Sequence, residues 1–119
     1  MKKESVLRTK SYTFAVRVVK LCQYLQTEKK EYILSKQIIR SGTSIGALIY
    51  EAEYAQSNAD FIHKFSISLK EANETIYWLS LLKDTSYLDV NLFNSFYKDC
   101  DEIICLLVST IKTLKLKNP

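Results

Sequence analysis

The chain has 119 residues, 47% of them apolar and 25% charged, with a formal net charge of +4. That length holds one domain with its own core, and that balance belongs to ordinary globular proteins, not to disordered chains. With only two glycines, and one proline at the very end, the tight turns that sandwiches, barrels and doubly wound sheets need are missing.

The first predicted helix covers about 10–27. Phe14, Val18, Leu21 and Leu25 recur at steps of four and three, and Ala15, Val19 and Cys22 widen that face. Glu28-Lys29-Lys30-Glu31 breaks the pattern as a connection. The second helix covers about 34–56, with Leu34, Ile38, Ser41, Ile45, Leu48, Ala52 and Ala55 as a heptad-type seam. Gly42 and Gly46 inside it point to close approach of a neighbouring helix, since glycine otherwise costs about 1 kcal/mol there.

Ser57-Asn58 caps the third helix, about 58–84, with Asp60 favourable to the dipole. Its expected stripe is Phe61, Phe65, Leu69, Ala72, Ile76 and Leu79. Asp89 caps the fourth, about 89–116, whose stripe is Phe93, Phe96, Cys100, Ile103, Leu107, Ile111 and Leu114. Four amphipathic helices with short connections predict an all-α, up-down-up-down four-helix bundle spanning 1–119.

Little in the chain can do chemistry. His63 is the one histidine, there is no C-x-x-C among Cys22, Cys100 and Cys105, and no glycine-rich phosphate loop occurs. The expectation is a non-enzyme with no cofactor and no metal, its cysteines reduced and buried. The start is charged without an apolar h-region, and no uncharged stretch approaches the ~20 residues of a membrane span. The cytoplasm is the expected compartment.

Charge is spread unevenly. Residues 1–40 balance at +7, residues 41–102 at −6, and the tail adds Lys112, Lys115 and Lys117. Lys10, Arg17 and Lys20 share an arc of the first helix. With Lys29, Lys30 and Arg40 they are candidate phosphate contacts, the alternative being a solvated face that confers only solubility. On the third helix Lys64, Glu71 and Trp78 are heptad-spaced, flanked by Ile67 and Glu74. Lys36, Arg40, Ser44 and Glu51 lie off the seam of the second. Opposite charges there suit a network between helices or between copies. Trp78 on this second face is either covered by a partner or buried by the bundle itself.

The stretch Gln37-Ile38-Ile39-Arg40-Ser41-Gly42-Thr43-Ser44-Ile45-Gly46-Ala47, then Glu51-Ala52, resembles the signature of four-helix bundle proteins encoded in intervening sequences of bacterial 23S ribosomal RNA genes. Asp60-Phe61, Lys64, Leu69-Lys70-Glu71-Ala72, Glu74-Thr75 and Tyr77-Trp78-Leu79 continue the match, and Ser11-Tyr12, Phe14-Ala15 and Val19-Lys20-Leu21 extend it more loosely. Leu48 departs from the family's usual asparagine and fits the core seam. The resemblance implies a ring-like homo-oligomer, typically a pentamer, without enzymatic activity. It also implies kinship with the accessory protein of diversity-generating retroelements, credited with binding nucleic acid beside a reverse transcriptase. Arg40, Glu51, Lys64, Glu71, Glu74 and Trp78 match the motif as candidate oligomer contacts or ligand contacts. The expected function is nucleic-acid binding by a homo-oligomer, the alternative an oligomeric protein-interaction scaffold.

Overall fold

The apolar stripe of the first helix reaches further back than its spacing suggests. In the computed structural model, which describes residues 3–117, α1 runs Lys3–Glu28 and Leu7 is fully buried ahead of the expected start at Lys10. Ser11 hides the continuity. It is itself buried, and its hydroxyl donates to the Arg8 carbonyl oxygen at 3.3 Å. Leu7, Ser11, Phe14, Val18, Leu21 and Leu25 therefore form one face.

The second helix, α2 (Leu34–Ala52), stops short of residue 56. Ser57 is extended, at φ −160° and ψ 168°, and its hydroxyl accepts from the Asp60 N–H at 3.1 Å to cap α3 (Asn58–Asp84). The Asp60 carboxylate in turn accepts from the Gln56 N–H at 3.2 Å. This reciprocal cap ends α2, because extended backbone cannot carry a helix on. Tight i,i+3 bonds take up the Tyr50, Glu51 and Ala52 carbonyls. The fourth helix, α4 (Val90–Lys117), begins as expected after Asp89, which accepts from the Leu92 N–H at 2.8 Å.

The helices follow an up-down-up-down path, giving a four-helix bundle of 48 × 23 × 22 Å. α2 packs on α1 and α3, α3 on α4, and α4 closes more thinly onto α1. In α2 the seam holds at Ile38, Ser41, Ile45 and Ala52, but Ile49 replaces Leu48 in the core. A strict heptad drifts around a helix of 3.6 residues per turn, so the buried face moves by one position. Leu48 and Leu34 are only half-buried, and Ala55 lies past the helix end.

In α3 the stripe keeps Phe65, Ala72 and Leu79, while Phe61, Leu69 and Ile76 are half-buried. Its α2-facing positions include polar Ser68 and Thr75, both fully buried. Ser68 donates to the Ile45 carbonyl oxygen at 2.9 Å, and Thr75 meets the Ser41 hydroxyl at 3.0 Å. Each buried hydroxyl is thus satisfied inside the seam. Gly42 and Gly46 serve the close approach of α1: a Cβ on Gly42 would stand 2.9 Å from Val18 Cγ2, and one on Gly46 3.2 Å from Ser11 Oγ.

Candidate functional site

The bundle sorts the candidate cations into two groups. Where α1 meets α4, Lys10 donates to Glu102 at 3.0 Å and Arg17 to Asp99 at 2.7 Å. Arg17 also donates to the Ser95 hydroxyl at 3.1 Å, and its guanidinium sits 4.1 Å from the centroid of the Phe96 ring. Asp99 and Glu102 are the residues that reasoning along the chain misses. They flank the α4 stripe one step from Cys100 and Ile103, and only the pairing of α1 with α4 gives them cationic partners. Arg8 likewise meets Glu53 at 2.8 Å.

Arg40 is engaged as well, on the α2–α3 side. One nitrogen donates to Glu71 at 3.1 Å, the other to Gln37 at 3.3 Å and to Glu74. The Trp78 indole N–H donates to the same Glu74 carboxylate at 2.9 Å. That bond, followed by the Arg40 guanidinium, holds the Glu74 carboxyl below its ordinary value. Lys64 meets Glu51 at 3.2 Å. All six motif residues thus lie on one side of the molecule, paired within the chain, and Trp78 is half-buried against the core.

Lys20, Lys29, Lys30 and Lys36 are exposed and form no ion pair among the described residues. Lys20 lies toward the end of α1, beside Arg17, Tyr24, Leu92 and Phe96 on one side and Val16, Val19 and Gln23 on the other. Lys29 and Lys30 occupy the connection to α2, and Lys36 follows in that helix's first turns.

The connection is built around Glu31. Its N–H donates to the Leu25 carbonyl oxygen at 2.9 Å, closing α1 with Lys30 in the left-handed region at φ 54°. Its carboxylate turns inward and accepts from the N–H groups of Ile33, Leu34 and Ser35 at 3.1, 2.9 and 2.8 Å. Burial pulls this carboxyl up, but the three backbone donors outweigh that and hold it below its ordinary value. Glu31 thereby does the capping that Ile33, at the cap position, cannot. Tyr32 and Ile33 are left outside, 51% and 77% exposed. The spacing that made this stretch a break gave no sign of either role.

A second surface lies between α1 and α2. Ser11, Ala15, Gly46 and Ala47 make a floor of small residues between the Tyr12 and Tyr50 side chains, a groove of about 710 Å³ with Arg8 and Glu51 at its end. Elsewhere, burial pushes the Cys22 and Cys100 thiols up to about 11 and 12, which disfavours the reactive thiolate. Cys105, expected inside, is exposed: two residues past Ile103, it falls on the far side of α4. Among the described residues no cluster of three metal-ligating side chains occurs, and no helix is long and apolar enough to cross a membrane.

Comparison with known proteins bears on this geometry. The family model of the 23S rRNA-intervening sequence protein matches residues 3–109. A crystal structure of a protein of unknown function from the S23 ribosomal protein family of Bacteroides thetaiotaomicron VPI-5482 is similar at 56% identity. The match covers 93% of this chain and 99% of that one, with a TM-score of 0.92. Among curated proteins none matches.

Proposed function

For this chain, which belongs to the 23S rRNA-intervening sequence protein family, we propose a role as a non-enzymatic helical protein that binds RNA or DNA through its phosphates. The observation that carries the reading is where charge remains once the internal ion pairs are formed. Lys10, Arg17 and Arg40 each face a carboxylate and add little net field. Of the candidate cations, Lys20, Lys29, Lys30 and Lys36 do not, and they gather toward the end of the bundle that holds the α1–α2 connection; the exposed Lys112, Lys115 and Lys117 lie at the other end, in the last turns of α4.

The acids of that end are largely engaged. Glu31 is turned inward, Asp84 meets Lys83 at 3.7 Å and Asp89 caps α4, which leaves Glu28 as the exposed carboxylate of the connection itself. A patch of one sign attracts a polyanion at a distance. The free thiols support the cytoplasm as the compartment.

Titration of nuclease-treated protein into labelled structured RNA and duplex DNA at several salt concentrations tests this. Affinity is expected to fall linearly with salt on logarithmic axes. Changing Lys20, Lys29, Lys30 and Lys36 to Gln is expected to flatten that slope, and changing Lys10 and Arg17 to Gln to leave most of it. No binding at low salt overturns the reading.

The α1–α2 groove favours a second role for the same protein, a homo-oligomeric scaffold. A floor of small residues between two exposed tyrosines receives a helix from another copy. A pentameric ring is the arrangement that family membership suggests.

A further inference from the structure

Resting on the nucleic-acid reading, we propose that the α1–α2 connection, Lys29 to Ile33 with Lys36, is a contact loop for single-stranded nucleic acid, Tyr32 stacking on an unpaired base while Lys29, Lys30 and Lys36 meet phosphates.

Burial of Glu31 sets the geometry. With its carboxylate holding three backbone N–H groups from inside, the residues on either side must face out. The Ser35 hydroxyl donates back to the Glu31 carbonyl oxygen at 2.9 Å, and Gln26 donates to Ser35 at 3.2 Å. The backbone of the tip is therefore tied by hydrogen bonds before any ligand arrives, and little backbone ordering entropy is lost on binding. Because Glu31 already occupies the donors at the start of α2, a phosphate is met by lysine side chains and not by the helix end.

The composition of the tip selects among polyanions. Lysines alone suit any phosphate backbone. Tyr32 and Ile33, exposed side by side between Lys30 and Lys36, offer an aromatic face and an apolar edge, which gain nothing from phosphates. A duplex keeps its base faces in the stack, and a convex tip of five residues cannot follow a groove floor. Unpaired bases present free π-faces, and stacking them on an aromatic ring beside cations is the general means of binding single strands.

Lys30 provides a variant that separates binding from folding. It stands at the left-handed helix-end position where glycine is the usual residue. Lys30→Gly removes a cation and relieves the backbone at once, so it is expected to melt no lower than the parent.

The test is fluorescence anisotropy of the full chain with labelled oligo(U) and oligo(dT) of about a dozen nucleotides, and with a duplex of the same length, at several salt concentrations. Tighter binding of the single strands is expected. Tyr32→Ala should lower that affinity ~10-fold with an unchanged salt slope, while Lys30→Gly should reduce the slope by about 0.7. Tyr54→Ala, an exposed tyrosine at the opposite end of the bundle, should change neither.

If the parent binds and Tyr32→Ala binds equally well, the loop inference is overturned and the phosphate reading stands. Preference for the duplex has the same consequence. If the parent binds no nucleic acid, both fall together. Should Tyr32→Ala change the assembled mass and not the oligonucleotide affinity, the tip is a protein contact and the inference is wrong.

Discussion

Glu31 shows how much one side chain can decide. It ends α1 through its backbone, begins α2 through its carboxylate and turns its neighbours outward. Glu31→Gln keeps the shape and removes the charge, and is expected to cost about 1–2 kcal/mol near neutral pH. Because the folded carboxyl lies below its ordinary value, the stability it contributes is present above about pH 4.3 and is lost as pH falls through the folded value. The gap between parent and variant in chemical denaturation should therefore close in acid. A gap independent of pH would show that the charge is not what holds the connection. The cap could not be inferred along the chain, because burial alone distinguishes Glu31 from Glu28.

Between elements, the closest fit is α1 against α2 at the glycines. At Gly42 the new methyl would meet the branched, fully buried Val18 at 2.9 Å. Overpacking of that kind costs about 1–3 kcal/mol, against about 1 kcal/mol gained in helix propensity. Gly42→Ala should therefore lower stability by about 1 kcal/mol. At Gly46 the nearest atom is the Ser11 hydroxyl oxygen at 3.2 Å, so Gly46→Ala should come out near neutral. Thermal melts that rank the two the other way would contradict the packing account. The need for glycine was legible in the sequence, since two glycines weaken a helix unless a neighbour has to come close to its backbone. Which one is critical was not, because that depends on the side chain that α1 presents.

Across the whole molecule, the opposite charges of the two halves of the chain close the bundle along two sides. The first helix donates cations to the acids of α4, and Arg40 and Lys64 bridge α2 and α3. Exposed pairs of this kind are each worth less than about 1 kcal/mol, so they orient helices already held by the core. The scaffold reading puts another copy in the α1–α2 groove, which those pairs leave open. Tyr50→Glu places a charge in it and is expected to bring the mass in sedimentation down to the 13.8 kDa of one chain, with helix content unchanged by circular dichroism. An assembled mass equal to that of the parent would remove the groove from the interface, and a parent that sediments as one chain would end the scaffold reading.

Helix number, bundle architecture, most of the core and the family motif follow from the sequence alone, because apolar periodicity and capping residues act over a few neighbouring positions. The end of α2 follows from the Ser57–Asp60 cap, and the exchange of Leu48 for Ile49 from the drift of a heptad around 3.6 residues per turn. The start of α1, where Leu7 is buried, depends on partners distant along the chain, and the tertiary structure decided it. The same holds for the basic residues. Spacing places Lys10, Arg17 and Lys20 on one arc, but net charge at a surface is a sum over whatever packs beside it. Only the arrival of Asp99 and Glu102 from α4 separates the cations that balance an internal carboxylate from those left facing solvent.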